Sequence, residues 1–135
     1  VWRDCKPANF ILTGHGALRP LDFEGACPID QPDPLPWGTP AFAPGAGQTE
    51  HSARSSVCDD LYSLGVVIYL LLTGSLPASN APLPWQKLRR GIPAEVREVI
   101  TALLLAPPHE RPGAHCVARQ LSVARARLRW AAVGD

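Results

Sequence analysis

The sequence contains no methionine, and only two lysines stand beside eleven arginines among its 135 residues. Because it opens on Val1 without a start residue, we expect it to be a piece of a longer protein. Its first residues are charged and include no apolar core segment, which is not the pattern of a secretory signal peptide. A composition of 46% apolar and 19% charged residues is typical of a globular domain.

The cysteine spacing and the small net charge argue against a zinc site and against a nucleic-acid partner. The four cysteines are widely separated and form no Cys-x-x-Cys pair, so the sequence does not predict a zinc site, and we expect reduced thiols in a cytoplasmic protein. The formal net charge is +1, which gives neither a basic field for nucleic acid nor an acidic tail for a basic partner. We therefore expect no nucleic-acid partner.

No apolar run is long enough for a membrane span. The longest apolar stretch covers residues 61–72, whereas a spanning helix needs roughly 18 residues. The segment 59–73, closed by Gly74, predicts instead a helix that is buried on every side, with Ser55, Ser56 or Asp59 as its N-cap.

The remaining pattern predicts a mainly helical fold with one small β-hairpin. Residues 10–12 and 18–21 flank a glycine-containing turn, and six prolines make 26–48 an irregular loop. One helix begins at Pro93 and ends at the proline pair 107–108, and the last covers 113–130. The apolar face of the last helix consists of Val117, Leu121, Ala124 and Leu128, and its arginines are expected on a solvated face.

Five short motifs carry the chemistry. Residues 3–9 read Arg-Asp-Cys-Lys-Pro-Ala-Asn, and Asp-Phe-Glu follows at 22–24. Gly-Thr-Pro begins at 38, Asp-Leu-Tyr-Ser-Leu-Gly at 60, and His-Glu-Arg-Pro at 109. In this order and spacing they resemble the catalytic loop, metal motif, activation segment, central helix and late arginine motif of protein kinases. The resemblance implies a kinase C-terminal lobe over residues 1–130 with a tail at 131–135, the N-terminal lobe being absent.

The resemblance also implies a role for each site residue. Asp4 would orient or deprotonate the attacking hydroxyl, and Lys6 would face the γ-phosphate of ATP, assisted by Thr39. Asn9 and Asp22 would bind Mg²⁺, for which oxygen ligands are suited. Taken singly, these residues could also be ordinary turn or cap residues. Asp60 would accept hydrogen bonds from the amides of the catalytic loop. A capping role for Asp59 or Asp60 is the alternative, and the two roles are compatible.

Four features depart from the family pattern. Trp2 replaces a histidine but can still pack on Phe23, and Glu24 replaces the glycine of the metal motif. Gly45 replaces the glutamate that normally pairs with the late arginine, here Arg111, which must find another acceptor or be solvated. No glycine-rich loop or strand lysine is present, so this chain alone should bind ATP poorly.

Residues 25–38 contain no serine, threonine or tyrosine. In regulated kinases the arginine that precedes the catalytic aspartate, here Arg3, meets a phosphate on this segment. We therefore expect no phosphorylation switch in this segment, with Asp30 or Asp33 paired to Arg3 instead.

The expected function is phosphoryl transfer from ATP to Ser/Thr hydroxyl groups of a protein or peptide, as part of a longer kinase. Two alternatives stay open. The first is the kinase-like domain of a class III or IV lanthionine synthetase, which carries a similar glutamate. The second is an inactive pseudokinase or truncated fragment that acts as a binding module.

Overall fold

The computed structural model describes residues 1–45, 56–78, 83–85 and 92–131, with the backbone alone for 128–131. In these ranges three helices follow one β-hairpin: α1 is Val57–Thr73, α2 is Ala94–Leu105 and α3 is Ala114–Ala131. Strand β1, Phe10–Leu12, pairs antiparallel with β2, Leu18–Pro20, so that Phe10 faces Pro20. The predicted hairpin and helices are confirmed, with boundaries shifted by one or two residues. Of the predicted tail, only Ala131, the last residue of α3, lies within the described residues.

Helix α1 begins and ends at residues that the sequence marks. Ser56 is the N-cap, and its backbone N–H donates to the carboxylate of Asp59 at 2.8 Å. Gly74 ends the helix with a φ of 74°, a left-handed conformation that glycine adopts without a Cβ penalty. Ser55, the other candidate N-cap, lies outside the described residues.

The core forms where α1 packs on α2 and α2 packs on α3. Its most deeply buried side chains belong to Val66, Val99, Ile100 and Leu103. Gly65 permits the close contact between α1 and α2, because a Cβ there would lie only 2.8 Å from the Cβ of Leu103. This packing fixes the position of α1, on which part of the candidate site depends.

The prediction that α1 is buried on every side is wrong for its ends. Burial is confined to positions between 61 and 69, whereas Leu71 is 73% exposed and Val57 is 39% exposed. An apolar run shows only that charge is absent, and it does not show which neighbours cover the helix. Within the described ranges, no helix is long and apolar enough to cross a bilayer.

The proline-rich stretch is irregular over its described part, as predicted, apart from one short 3-10 turn at Pro40–Phe42. Proline at the first position of such a turn already has a suitable φ, so it is compatible with this element. Residues 46–48 of the predicted loop lie outside the described residues. On α3, Val117 and Ala124 are buried and the arginines at 119, 125 and 127 are exposed, so the solvated face is confirmed for these three. The Arg129 side chain lies outside the described atoms. The position of the Leu128 side chain lies outside the described atoms.

Candidate active site

The β-hairpin connects the two halves of the candidate site. Asn9 immediately precedes β1, and Asp22 follows β2 by two residues. The backbone N–H of Leu21 donates to the carbonyl of Asn9 at 2.9 Å, which closes the open end of the hairpin. The chain segments that carry Asn9 and Asp22 therefore lie side by side.

Four of the five predicted site residues form one hydrogen-bonded cluster. The Lys6 ammonium lies 2.7 Å from Oδ2 of Asp4 and donates to the Thr39 hydroxyl at 2.9 Å. That hydroxyl donates to Oδ1 of Asp4 at 2.8 Å, and the Asn9 amide nitrogen donates to Oδ2 of Asp4 at 3.1 Å. The activation-segment residue Thr39 thus bridges two residues of the catalytic loop across more than thirty positions of sequence.

The cluster keeps Asp4 in its charged form. Burial alone would raise the pKa of this carboxyl, but the hydrogen bonds from Lys6, Thr39 and Asn9, together with the Lys6 charge, hold the pKa below its ordinary value. Asp4 is therefore an ionised hydrogen-bond acceptor at neutral pH.

Asn9 and Asp22 each have a side-chain oxygen of the kind that Mg²⁺ prefers as a ligand. The buried Asn9 amide nitrogen is bonded to the backbone and side chain of Asp4, so its oxygen is the atom left for a cation. Asp22 offers an exposed carboxylate from a left-handed backbone with a φ of 58°, a conformation that aspartate tolerates better than most residues. Two oxygen ligands of this kind suit Mg²⁺, which completes its shell with water and phosphate. No group of three or more His, Cys, Asp or Glu side chains around one point occurs among the described residues.

Asp60 anchors the catalytic loop to α1. Its two carboxylate oxygens accept the backbone N–H groups of Trp2 and Arg3, each at 2.7 Å. The loop-holding role expected for this residue is confirmed, and the capping interaction belongs to Asp59 instead. Arg3 has a φ of 76°, which is costly for a residue with a long side chain, and the Asp60 bond to its N–H helps to hold that conformation.

Arg3 ties residues 25–38 to the catalytic loop. Its guanidinium donates to the carbonyls of Gly25, at 3.1 Å, and Leu35, and it pairs with Asp33 at 3.2 Å. The second oxygen of Asp33 accepts the N–H of Leu35 at 2.9 Å. The predicted carboxylate partner of Arg3 is therefore Asp33, and Asp30 takes no part. The Leu35 N–H bond, together with the Arg3 interactions, holds the pKa of Asp33 below its ordinary value.

The departures from the family pattern are accommodated locally. The Trp2 ring packs on Phe23 with centroids 5.5 Å apart, as expected. Glu24 has no positive φ, so glycine is not required at this position in the described conformation. Arg111 does find another acceptor: it donates to the Cys58 carbonyl at 3.0 Å and lies 5.1 Å from the centre of the Tyr62 ring. It is buried, so the solvated alternative is wrong.

Two glycines shape the site: Gly38, which the sequence shows only as the start of the Gly-Thr-Pro motif, and Gly25, which has no sequence signal. Gly38 has a φ of 107°, and a Cβ there would overlap the Arg3 carbonyl, so glycine is needed just before Thr39. Gly25 lies against the Trp37 indole, which a Cβ would also overlap. Glycine is common in loops, and only the spatial contacts show why it is needed at these two positions.

Relatives in sequence are protein kinases. No family model matches the chain. It is 36% identical over 127 residues to the putative CBL-interacting protein kinase 27 of Oryza sativa subsp. japonica, covering 81% of the chain and 30% of that protein. It is 33% identical to the inactive serine/threonine-protein kinase PLK5 of Mus musculus, a match that covers 83% of the chain and 20% of that protein. It is 28% identical to the serine/threonine-protein kinase PknK of Mycobacterium tuberculosis, a match that covers 82% of the chain and 11% of that protein. The chain thus spans less than a third of each of these curated relatives.

A solved structure shows the same fold. ROP2 from Toxoplasma gondii, described as a virulence factor with a protein-kinase fold and no enzymatic activity, superposes with a TM-score of 0.75 at 19% identity. The match covers 96% of this chain and 38% of that chain. The likeness concerns the fold alone and confirms the fold class predicted from the sequence.

Proposed function

We infer that this chain, which belongs to the protein kinase superfamily as a segment of the C-terminal lobe, takes part in phosphoryl transfer from ATP to Ser/Thr hydroxyl groups of a protein or peptide. In this proposal the N-terminal lobe that binds the nucleotide belongs to the full-length protein and lies outside these 135 residues. The proposal is supported chiefly by one observation: the Thr39 hydroxyl lies between Asp4 and Lys6, at 2.8 and 2.9 Å. This contact assembles the predicted catalytic residues from two distant segments.

Each residue contributes through position and charge, which is what phosphoryl transfer chiefly requires. The ionised Asp4 carboxylate would orient the substrate hydroxyl and accept its proton. The Lys6 ammonium is paired with Asp4 in the structure. Its flexible side chain is long enough for it to turn toward the γ-phosphate and stabilise the negative charge there. Asn9 and Asp22 would hold Mg²⁺, which when bound neutralises phosphate charge and aligns the nucleotide.

The preference for serine and threonine over tyrosine rests on Lys6 and Thr39. Among protein kinases, a lysine two residues after the catalytic aspartate is typical of the Ser/Thr kinases. The Gly-Thr-Pro motif is typical of the same class. The bond between the Lys6 ammonium and the Thr39 hydroxyl supports this assignment, because it gives both residues a place in one site. The lanthionine synthetase alternative, in which the substrate is a precursor peptide, stays a prediction.

A non-catalytic role is the competing proposal. Two of the proteins compared above, PLK5 and ROP2, are described as inactive, although they share sequence or fold with this chain. The intact cluster of Asp4, Lys6, Asn9 and Thr39 favours catalysis over this alternative, since a binding module has no need of these contacts.

A transfer assay on the full-length protein tests the proposal. We expect label from the γ-phosphate of ATP to enter a randomised Ser/Thr peptide library, but not a matched tyrosine library, and EDTA to abolish the transfer. Asp22→Asn should lower the rate by about a hundredfold, because the metal loses its charged ligand. Asp30→Asn, which changes an exposed carboxylate without a hydrogen bond in the described part of the chain, should leave the rate unchanged. Wild-type protein that binds ATP but labels neither library would favour the binding module.

A further inference from the structure

We propose that Trp37 is a positioning residue for Thr39, and that it acts by packing its indole on Gly25. This inference rests on the proposed function and extends it to a residue to which neither the sequence motifs nor the proposed chemistry gives a role. Thr39 is the residue whose hydroxyl bridges the predicted catalytic pair, so its position decides whether the site is assembled.

The indole of Trp37 lies directly on the α-carbon of Gly25. A Cβ at Gly25 would overlap this ring, and the three atoms that it would meet first all belong to Trp37. Gly25 is buried and its φ is not positive, so glycine is needed there for the room it leaves to the ring and not for its backbone conformation. The Trp37 side chain is still 50% exposed, so it buries only part of its surface in this contact.

Gly25 is a fixed support for the ring. Its carbonyl accepts the Arg3 guanidinium at 3.1 Å in a buried contact. The backbone N–H of Arg3 in turn donates to Asp60 at 2.7 Å, and Asp60 belongs to the first turn of α1. The Trp37 ring therefore packs on a peptide that is connected to the helical core.

The chain between Trp37 and Thr39 consists of one glycine and needs such a support. Gly38 has a φ of 107°, and glycine has more conformational freedom than any other residue. A Cβ at Gly38 would overlap the Arg3 carbonyl, so no other residue could stiffen this link. An indole seated on Gly25 restricts the rotations at Gly38, and through them the position of the Thr39 hydroxyl.

The chain on the other side of Thr39 is anchored in the core. The short 3-10 turn Pro40–Phe42 follows directly, and Phe42 packs against a buried cluster from α1 and α2. Thr39 therefore lies between two anchors, Phe42 in the core and Trp37 on Gly25. Without the Trp37 contact, the bridging hydroxyl would be held from one end only.

Kinetics of the full-length protein separate positioning from simple stabilisation. Trp37→Ala should lower kcat about tenfold, because a misplacement of about 1 Å can cost up to about a hundredfold in rate. Trp37→Phe keeps a ring on Gly25 and should stay within about threefold of wild type. The double variant Trp37→Ala, Thr39→Ala should have the kcat of Thr39→Ala alone, because Trp37 acts through that residue. Gly25→Ala, which displaces the ring without removing it, should reproduce the effect of Trp37→Ala.

A second measurement does not depend on catalysis. NMR of the isotope-labelled Thr39 methyl group should show one side-chain rotamer in the wild type and in Trp37→Phe, and rotamer averaging in Trp37→Ala and Gly25→Ala. Leu35→Ala is the matched control, because it truncates a 66% exposed side chain of the same segment and keeps the carbonyl to which Arg3 donates. It should change neither kcat nor the methyl signal.

The outcomes distinguish the positioning role from the proposed function. Losses that multiply in the double variant, or an unchanged methyl signal in both Trp37→Ala and Gly25→Ala, would overturn the positioning role while the proposed function stands. Wild-type protein without phosphoryl transfer would overturn the proposed function, and the Thr39 methyl signal would then decide the positioning role by itself.

Discussion

Asp4→Asn should lower the kcat of the full-length protein by about 10²- to 10⁴-fold, which is the usual contribution of a positioned proton acceptor. Asparagine has nearly the same shape, so its oxygen can still accept the bond that Thr39 now donates to Oδ1 of Asp4. The amide cannot accept a proton from the substrate, however, and it removes the charge that pairs with Lys6 at 2.7 Å. The loss should therefore appear in the chemical step.

Single-turnover measurements with pre-bound ATP and peptide are the appropriate check, because they exclude product release. The KM for ATP should change little, since Asp4 is not among the residues proposed to hold the metal. Asp30→Asn serves as the matched control, as it makes the same chemical change at an exposed aspartate. A single-turnover rate for Asp4→Asn within threefold of wild type would remove Asp4 from the mechanism.

Asp60→Ala should destabilise the lobe by about 3 kcal/mol, because it leaves two backbone donors without their charged acceptor. The carboxylate of Asp60 accepts the N–H groups of Trp2 and Arg3 at 2.7 Å each. Domains of this size are stable by only about 5–15 kcal/mol, so the loss is a large fraction of the total. It should also release Arg3 from its left-handed conformation and loosen the catalytic loop.

Urea-induced unfolding, followed by circular dichroism, gives the free energy of unfolding for the wild type and each variant. Asp60→Asn keeps one acceptor oxygen and should lie between wild type and Asp60→Ala, whereas Asp30→Ala should match wild type. Hydrogen exchange at the amides of Trp2 and Arg3 should accelerate in Asp60→Ala. If both amides stayed as protected as in the wild type, the loop would not depend on Asp60.

The fold was predictable where the relevant signals are local. The hairpin follows from two short apolar runs around a glycine-containing turn, and α1 follows from an apolar run that ends at Gly74. The positions of Asn9 and Asp22 at the same end of the hairpin follow in turn, because antiparallel pairing returns the chain to its starting edge. These predictions needed no knowledge of what the elements pack against.

Contacts between residues that are far apart in the sequence were predicted less completely. Asp30 and Asp33 are equivalent in sequence, and only the path of the loop brings Asp33 to Arg3. Exposure at Leu71 and the enclosure of Arg111 by the Cys58 carbonyl and the Tyr62 ring likewise depend on tertiary packing. The hydrogen bond that the Trp2 indole N–H donates to the Asp22 carbonyl at 2.8 Å had no sequence signal, since a tryptophan ring can pack with or without such a bond.

In the proposed function, Asn9 and Asp22 hold one metal–nucleotide complex beside Asp4 and Lys6. The most direct test is the paramagnetic broadening that Mn²⁺ causes in NMR spectra of the full-length protein with a non-hydrolysable ATP analogue. We predict that the Asn9 side-chain amide and the backbone amide after Asp22 are both broadened, while the amides of α2 are unaffected. Broadening that spared either Asn9 or Asp22, or that was strongest on α2, would contradict the shared site.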